Sequence, residues 1–582
     1  MKQFKDPIYG YINIPKEIVK NIIDTSEFQR LRYIKQTSYL PVYSAALHNR
    51  FIHSLGVYYL GKMASDAVFE NSKDILEEYS VDLEIRDIFQ LACLLHDVGH
   101  APFSHSGEGF YIDEKKEIYN ILKQEVDDAS FNDDVDYYHA NGKIAAPHEI
   151  MSVIIALKRY KDSFRSKDQR SFFARCITGY KYRDSEKIVK HAVLNAFISL
   201  LNSTTIDVDR LDYLIRDAYV MGYNSVSIDY QRLLEGVMVV KVEGDVNYSP
   251  IQLAYRKSAL SVIENVIYAH DAEKKWIQNH PVILYEVFLI QRIIVSTRTE
   301  YKKRTGNELF SITALSPKND ESAVSDKCFS VISDELEKIK TLLLETEHKD
   351  EILASLQTIE KHIKQLKSFI DVSLLCDDDI IHLAKITDPD FLNELFNRGI
   401  RRHPIWKSES EYKIYMDGFI GDESYDELQS QIKVLYKFLL EEAPSPSIDC
   451  VAVDYCKKRL DEISISELSE NDKKDMTTRY SMLLNWLKMF EEIAAEQKLS
   501  QFDFLVIPAS QFESSFKKED LGNMPIFFPA SKKTYPLSKL INLFTVKDTT
   551  RHKFFYVYYR KSPGEEIDAL QVGKKIAKLI LR

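Results

Sequence analysis

The segment from Arg86 to Asp97 most constrains this chain, because it is apolar on almost every side over about three helical turns. A helix that is apolar all round is covered by neighbours on every side, so the chain must surround it with further elements. The helix nevertheless ends in His96 and Asp97, before Gly99 and Pro102 interrupt it. A polar pair in such surroundings requires a compensating partner.

The composition indicates a large and mainly helical protein. Its 582 residues allow roughly two to four domains of about 150 residues each. Glycine (18) and proline (17) are scarce, and hydrophobic residues make up 45% of the chain, which excludes collagen-like chains and wholesale disorder. The net charge of −11 argues against a nucleic-acid coat protein, so a small anionic substrate would need a local basic pocket.

The sequence also predicts the compartment. No apolar run reaches the roughly 18 residues of a membrane span, and the N-terminal residues show no signal peptide. The six cysteines are scattered without a CxxC pair, which argues against a disulfide framework and a zinc ribbon. We therefore expect a cytoplasmic protein that has no membrane partner.

The periodicity predicts a mainly α fold with a small C-terminal α+β module. Residues 1–300 are dense in helical patterns, 301–500 form a helical middle region, and 501–582 carry the strand-like runs FDFLVIP, MPIFFP and KFFYVYYRK. A polar insertion at 113–143 is predicted to be a surface excursion. Residues 335–370 are predicted as amphipathic helices, with a coiled-coil contact as the alternative, and 317–327 as a loop.

Several polar clusters are candidates for chemistry, beginning with His96 and Asp97. These neighbours lie about 100° apart on a helix and could bind one ion from two directions. An isolated His–Asp dipeptide more often hydrogen-bonds to the backbone, but His53 and Asp209 could complete a divalent-metal site. Asp209 also begins a row with i, i+4, i+8 spacing on one helix face, for which a capped surface helix is the alternative.

These clusters form a long ordered series of motifs. The series comprises Asp6 to Gly10, Ile22 to Thr25, Phe28 to Gln36, His48 to Phe51, His53 to Val57, the HDVGHAPFSH run from His96 to His105, and Ile206 to Asp209. It resembles the HD-domain deoxynucleoside triphosphate triphosphohydrolases, over roughly residues 1–300 and more weakly over the last part of the chain. The resemblance implies an HD-domain helical core and a metal-dependent dNTP triphosphohydrolase.

The resemblance also implies roles for individual residues. The metal ligands would be His53, His96, Asp97 and Asp209. His100 and His148 would lie beside the phosphates, and His105 would be the general acid, supported by Glu108, where the family commonly has Asp. The substrate-binding residues would be Arg50, Gln36, Arg210, Tyr213, Asp217 and, at the place of a phosphate-binding arginine, His270. Asp24, Gln29 and Arg32 match positions that bind an activating guanine nucleotide in vertebrate members, although Lys5 and Thr37 depart from their surroundings there.

The phosphate-binding region is the clearest departure from the family. His270 replaces the usual arginine, and Pro281 replaces a lysine, so a strong cation is lost. Histidine is only partly charged at neutral pH, which predicts weaker triphosphate binding. Lys274 or Lys275 is the alternative source of a cation, with His270 as a packed core residue.

The implied cofactor is a divalent metal, namely Fe, Mn or Mg, with Zn or Ni as further candidates in purified protein. The implied partners are a dNTP substrate, an activating GTP or dNTP, and further copies of the chain in a dimer or tetramer. Two alternatives stay open. The first is an HD phosphohydrolase that acts on a nucleoside monophosphate or cyclic nucleotide, and the second is a nucleotide-binding regulatory protein with an inactive core.

Overall fold

In the computed structural model, helices surround the apolar segment and small sheets flank them. The structure describes residues 1–111, 115–223, 227–242, 251–305, 308–309, 331–332, 334–339, 351–359, 373–387, 389–416, 419, 422–509, 518–541, 554–560 and 562–580. The predicted mainly α class is confirmed.

The helices of the N-terminal half are α1 (Lys16–Ile18), α2 (Ser26–Gln29), α3 (Arg50–Asn71), α4 (Lys73–Glu78), α5 (Leu83–Leu95), α6 (His105–Tyr111), α7 (Lys115–Val126), α8 (Ala129–Ala140), α9 (Pro147–Arg159), α10 (Lys167–Thr178), α11 (Val189–Leu201), α12 (Val208–Met221), α13 (Tyr230–Glu235), α14 (Leu260–Glu273) and α15 (Pro281–Thr305). Those that follow are α16 (Asp377–Thr387), α17 (Pro389–Phe396), α18 (Glu409–Met416), α19 (Asp422–Glu441), α20 (Cys450–Ile465), α21 (Glu470–Glu496), α22 (Lys518–Gly522) and α23 (Ala569–Ile580).

The strands form three small sheets. They are β1 (Lys2–Asp6), β2 (Gly10–Ile14), β3 (Val237–Lys241), β4 (Ile251–Arg256), β5 (His403–Pro404), β6 (Phe504–Ala509), β7 (Pro525–Phe528), β8 (Lys533–Pro536) and β9 (Phe554–Tyr559). The sheet orders are β1-β2, β3-β4-β7-β8 and β5-β9-β6, and among these described strands only the β4–β7 pairing is parallel. The three predicted C-terminal strands are thus confirmed as β6, β7 and β9.

The C-terminal strands lie in sheets with strands from earlier parts of the chain. β7 and β8 extend the sheet of β3 and β4, while β6 and β9 pair with each other and β9 also pairs with β5. Most buried apolar side chains from Tyr9 to Ala577 belong to one continuous core, and two small clusters lie apart from it. The packing crosses the predicted domain boundaries at residues 300 and 500. The division of the chain into three domains stays a prediction.

The apolar segment forms α5, as predicted, and lies at the centre of the helical core. α5 packs against α3, α9 and α10, and α3 in turn packs against α12 and β3. Asp82 caps α5, with its carboxylate accepting the backbone N–H groups of Glu84 and Ile85. This arrangement places the C-terminal end of α5 beside the first turns of α3 and α12.

The predicted surface excursion is wrong for its described part. α7 and α8 bury Leu122, Phe131 and Val135 completely, and α7 packs against α9. The polar residues that suggested a surface excursion lie on the outer faces of two amphipathic helices. In the predicted helical region 335–370, residues 334–339 and 351–359 are helical. The remainder, and the predicted loop at 317–327, lie outside the described residues.

The lengths and apolar composition of the helices bear on whether any of them could cross a membrane. Within the described ranges, no single helix is long and apolar enough to cross a membrane. One bent pair, Lys257–Gln278 with Pro281–Arg304, passes that test of length and composition when the two are taken together.

Gly56 allows α3 and α12 to approach each other closely. A Cβ atom at this position would lie 1.9 Å from Asp212 Oδ1 and 2.5 Å from Arg216 Nη2. Both of these side chains are buried and hydrogen-bonded to each other, so they cannot move aside cheaply. Any side chain at Gly56 must therefore push the two helices apart.

We predict that Gly56→Ala destabilises the protein by about 1–3 kcal/mol, the range for overpacking a well-packed core. Differential scanning calorimetry should show a lower Tm than in the unmodified protein. Gly236→Ala is the matched control, because a Cβ there meets neighbours at an ordinary 3.5 Å. Equal Tm values for the two variants would contradict this account of the helix contact.

Candidate active site

The four predicted metal ligands come from three elements that meet at the end of α5. Asn49 caps α3 through its side chain, which places His53 in the first turns of that helix. His96 and Asp97 directly follow α5, and Asp209 lies in the first turn of α12. Residues far apart in the sequence therefore converge because three helix ends meet at one point.

The ligand atoms lie at distances suited to a shared cation. His53 Nε2 is 3.0 Å from Asp209 Oδ1 and 3.6 Å from Asp97 Oδ2. His96 Nε2 is 3.4 Å from Asp209 Oδ1 and 3.4 Å from Asp97 Oδ1. Ligands bound at about 2.1 Å and at right angles are roughly 3 Å apart, so these separations fit one ion. Asp97 also forms an ion pair with Arg50 at 2.7 Å.

The chemistry of this cluster fits a divalent metal. His96 Nε2 is buried without a hydrogen-bond partner, and His96 Nδ1 donates to the Cys93 carbonyl oxygen at 2.9 Å, leaving Nε2 as the ligand atom. Burial lowers the pKa of His53, but hydrogen bonds to Asp209 and Asp212 outweigh this and raise it to about 9. The carboxylates therefore create a negative environment that a cation would neutralise. Two imidazoles and two carboxylates suit Fe, Mn, Mg or Zn.

A second cluster lies next to the first and brings together His100, His105, Glu108 and His148. Glu108 Oε1 is 3.1 Å from His105 Nδ1 and 3.6 Å from His100 Nδ1, and it also contacts His148 Nδ1. The His100 and His148 rings stack at 4.1 Å. His100 Nε2 faces Asp97 Oδ1 at 3.3 Å, which joins the two clusters.

The residues of this second cluster differ in the direction of their pKa shifts and therefore in charge. Burial raises the pKa of Glu108, but the charge of His148 and the hydrogen bond of His105 outweigh it and hold that pKa far below its usual range. Burial lowers the pKa of His148, whereas the Glu108 carboxylate raises it to about 9. Burial and Arg50 keep the pKa of His100 well below its usual value. At neutral pH a cationic His148 thus lies beside a neutral His100.

Both clusters border a cavity of about 520 Å³, within the usual range for small-molecule sites. Of the predicted substrate residues, Gln36, Arg50, Tyr213 and Asp217 line it. Arg210 and His270 do not reach its wall. Arg210 instead contacts the Thr205 carbonyl oxygen and lies 3.4 Å from Asp207.

His270 is buried on α14, with Nδ1 3.6 Å from Asp271 Oδ1. Burial lowers its pKa, which favours the uncharged form of the imidazole. This placement agrees with the alternative of a packed core histidine, and the phosphate contact of His270 stays a prediction.

The three residues predicted to bind an activating nucleotide lie outside the cavity. Arg32 Nε donates to Gln29 Oε1 at 2.8 Å, and its guanidinium group lies 3.5 Å from the centre of the Phe51 ring. Asp24 is half-exposed and lies 3.5 Å from Lys2 Nζ. Phe51 follows Arg50 in α3, so the predicted activator residue Arg32 and the cavity contact the same helix.

The HD domain family matches residues 50–154, which contain three of the four candidate metal ligands and all four residues of the second cluster. The chain contains an HD domain. The resemblance that the motifs indicate is therefore confirmed at the level of the HD domain.

The chain is also similar to known proteins. Deoxynucleoside triphosphate triphosphohydrolase SAMHD1 of Danio rerio is 34% identical over 249 residues, which cover 42% of this chain and 37% of that protein. The uncharacterised protein YwfO of Bacillus subtilis is 29% identical over 295 residues, or 50% and 55% of the two chains. The similarity thus spans about half or less of these curated relatives.

A solved structure shows that the fold extends beyond the HD domain. The crystal structure of a phosphohydrolase from Bacteroides thetaiotaomicron has a TM-score of 0.51 and 17% identity to this chain, and it covers 97% of this chain and 100% of that one. At this identity the similarity concerns the fold alone.

Sequence reasoning missed Asp212, which supports the HD histidine His53. Asp212 Oδ2 accepts a hydrogen bond from His53 Nδ1 at 2.7 Å, so His53 presents Nε2 to the candidate metal site. Such a carboxylate partner fixes the tautomer and orientation of a metal-binding imidazole. The position of the Asp212 carboxylate, one helical turn after Asp209, is the sequence feature that could have identified it.

We predict that Asp212→Asn lowers metal affinity by about 10- to 100-fold, the usual effect of losing such a partner. Competition with a chelator would measure the dissociation constant for Mn²⁺. Asp66→Asn is the control, since Asp66 lies on the same helix as His53 but pairs with Lys62 at the surface. An unchanged Mn²⁺ affinity in Asp212→Asn would refute the supporting role.

A second missed residue is Asp377, at the start of α16. Its carboxylate accepts the Phe103 N–H at 2.6 Å and the Lys35 N–H at 3.0 Å. Phe103 and Ser104 have φ values of 60° and 53°, which are costly for residues with side chains. Asp377 therefore holds the strained turn that leads into His105.

We predict that Asp377→Ala lowers kcat by about 10- to 100-fold with a smaller change in KM, because the turn relaxes and misplaces His105. Asp378→Ala is the control, since that neighbouring carboxylate is exposed. Steady-state kinetics and circular dichroism would separate misplacement from unfolding. Similar kinetics in both variants would contradict the proposed support of the turn.

Proposed function

We propose that the chain is a metal-dependent phosphohydrolase that converts a dNTP and water into a deoxynucleoside and inorganic triphosphate. The observation that carries this proposal is the cavity, whose lining includes the candidate metal ligands Asp97 and Asp209, the acid–base residues His105 and His148, and also Tyr213, Gln36 and Asp217. Asp217 follows Asp209 by eight residues on α12, which is about 12 Å further along that helix. A phosphate chain fits the ionic end, and a sugar fits the end lined by hydroxyl, amide and carboxyl groups. The similarity to SAMHD1 supports the same substrate class.

His53, His96, Asp97 and Asp209 would hold the metal. When bound, a divalent cation polarises phosphate oxygens and makes hydroxide available near neutral pH. Fe, Mn and Mg are our proposed ions, with Zn or Ni as further candidates.

The residues of the chain provide the remaining steps. Water attacks the α-phosphorus, and the bond from that phosphorus to the 5′-oxygen breaks. Glu108 accepts a hydrogen bond from His105 Nδ1, which leaves Nε2 as the nitrogen that donates a proton to the departing oxygen. Arg50 and the cationic His148 offset negative charge on the phosphates.

The finer assignments belong to the same proposal. An activating GTP or dNTP would bind at Asp24, Gln29 and Arg32, and dimers or tetramers would form through exposed apolar residues such as Tyr268 and Trp276. The cytoplasmic location stays a prediction. In the described part of the chain five cysteines are free.

The test is to incubate purified protein with each dNTP, with Mn²⁺, Mg²⁺ or Fe²⁺, and with or without GTP. The proposal requires inorganic triphosphate and deoxynucleoside as products. Hydrolysis of only nucleoside monophosphates or cyclic nucleotides would favour the alternative HD phosphohydrolase. Nucleotide binding without turnover would favour the regulatory protein.

We predict that His105→Ala lowers kcat by about 10²- to 10⁴-fold, the usual contribution of a general acid, with little change in KM. His191→Ala is the matched control, because His191 also pairs with a carboxylate, Asp184, but lies away from the cavity. A kcat for His105→Ala within about threefold of the control would overturn the general-acid assignment.

A further inference from the structure

A second cavity lies among the loop that follows α10, α11, β4 and α22, and we name it the Lys181 cavity after a lysine in its wall. Its volume is about 860 Å³, within the usual range for small-molecule sites. Among the described residues, none that lines it also lines the catalytic cavity beside the candidate metal ligands. The proposed reaction therefore makes no use of the Lys181 cavity.

Lys181 places a positive charge in this wall. It lies in the loop between α10 and α11 and is partly buried. Burial lowers the pKa of its ammonium group, whereas the charge of Asp520 raises it. Within the described part of the chain, no hydrogen bond or ion pair satisfies this ammonium group. A partly desolvated cation without a partner is costly, so an anion in the cavity would stabilise it.

Carboxylates in the same wall limit the negative charge that a ligand can carry. Glu186 and Asp520 both line the Lys181 cavity. Asp520 Oδ2 accepts a hydrogen bond from Thr204 Oγ1 at 2.6 Å, which orients this carboxylate towards the loop after α11. Because like charges repel, a ligand with several anionic groups is disfavoured. The charges of the wall therefore match a ligand with one anionic group.

Hydroxyl groups are frequent in the rest of the wall. They belong to Ser185, Ser199, Ser203, Thr204 and Thr205. A hydroxyl group has one donor hydrogen and two acceptor lone pairs, so it can bind a phosphate oxygen or another hydroxyl group. The wall is therefore suited to a ligand that carries hydroxyl groups as well as an anion.

The tyrosine rings of the wall are already engaged with neighbours. Tyr182 stacks with His191 at 4.1 Å, and the Arg175 guanidinium group lies 3.9 Å from the centre of the same ring. Tyr138 stacks with Tyr180 at 5.5 Å. An aromatic base would need an open ring face on which to stack, so these contacts argue against a nucleotide as the ligand of this cavity.

The loop that carries three of these hydroxyl groups is held in place by hydrogen bonds. The Ser203 N–H donates to Asp207 Oδ2 at 3.2 Å, and the Arg210 guanidinium group donates to the Thr205 carbonyl oxygen. On its other side the loop is held by the bond from Thr204 to Asp520. A wall that is fixed before binding needs little ordering when a ligand arrives, which favours affinity.

We propose that the Lys181 cavity binds a small sugar phosphate, whose phosphate group pairs with the Lys181 ammonium group and whose hydroxyl groups bind the serine and threonine hydroxyls of the wall. A single phosphate group supplies the anion that Lys181 lacks without adding charge beside the two carboxylates. The sugar supplies hydroxyl groups without an aromatic ring. The proposal is independent of the proposed function, since no residue assigned to that reaction lines the Lys181 cavity.

The test titrates the full chain with ribose 5-phosphate and follows the Met524 side chain. Met524 lines the Lys181 cavity, so its ¹³C-methyl NMR signal, assigned as the one that Met524→Leu removes, should shift and saturate. Ribose without the phosphate should bind at least about tenfold more weakly, because it lacks the charged contact. Equal dissociation constants for the two probes would overturn the contact with Lys181, and the absence of a saturable shift would overturn the site.

Inorganic phosphate and a second methionine separate this site from other sources of binding. Inorganic phosphate should bind at least about tenfold more weakly than ribose 5-phosphate, because it lacks the hydroxyl contacts. Equal dissociation constants would overturn the assignment of a sugar. Met221 packs against the cluster that contains Tyr39, which lines the catalytic cavity. A shift of the Met221 signal alone would locate the probe in the catalytic cavity and overturn the proposal.

Lys181→Gln should weaken the binding of ribose 5-phosphate by about 10- to 100-fold, whereas Lys181→Arg, which keeps the charge, should change it by less than about threefold. Lys187→Gln is the matched control, because Lys187 lies in the same loop, is exposed and does not line the cavity. An affinity in Lys181→Gln equal to that of the control would overturn the proposal, as would equal losses in Lys181→Gln and Lys181→Arg. The Tm of each variant shows that it is folded, and the comparison of ribose with ribose 5-phosphate needs no variant in the wall.

Discussion

The carboxylate of Asp212 is the interaction on which the geometry of the site depends. It accepts hydrogen bonds from Tyr9 Oη at 2.7 Å, from two guanidinium nitrogens of Arg216 at 2.9 Å each, and from His53 Nδ1 at 2.7 Å. Burial raises its pKa, but Arg216 and His53 outweigh this and hold it at about 2. A buried charge that loses such partners costs about 3–5 kcal/mol, so α3 and α12 are fixed relative to each other.

Arg50, on α3, fixes the turn that follows α5 through hydrogen bonds. Its Nη1 donates to Asp97 Oδ2 at 2.7 Å and its Nε donates to Ser104 Oγ at 2.9 Å. Ser104 Oγ in turn donates to the Lys35 carbonyl oxygen. Arg50 therefore neutralises a candidate metal ligand and supports the turn before His105, so a contact with substrate phosphate would have to be made without losing these bonds.

The cavity combines two environments that suit two parts of one ligand. Ionised groups, among them Asp97 and the cationic His148, lie at one end. The hydroxyl and carboxyl groups of Tyr39, Glu273 and Asp217 line the cavity further from Asp209, since Asp217 follows it by two turns of α12 and Tyr39 hydrogen-bonds to Glu273. A nucleotide has the same polarity, with phosphates at one end and a hydroxyl-bearing sugar at the other. We therefore expect the cavity to select its ligand by the distribution of charge along its length as well as by its shape.

The parts of the site that could be predicted from the sequence are those encoded locally. The HD pair and the strands β6, β7 and β9 follow from short patterns of polarity, which survive folding because each lies within one element. Asp377 carries no such signal, since its importance arises from contacts with Phe103 and Lys35, which lie far away in the chain. His270 shows the converse, because matching it to a family position could not reveal that it is buried on α14 and that burial lowers its pKa.

The contacts of the middle region show why the site cannot be confined to the segment that carries its motifs. Arg30 donates to the carbonyl oxygens of Val98 and His100, at 2.8 and 2.9 Å, and also to that of Leu375 at 2.7 Å. Asp377, two residues later, accepts the backbone N–H groups of Phe103 and Lys35. The turn that presents His105 is thus held on one side by the HD helices and on the other by residues near the start of α16. A strained turn keeps its conformation only while both sides hold it, so the middle region is part of the catalytic unit that we propose.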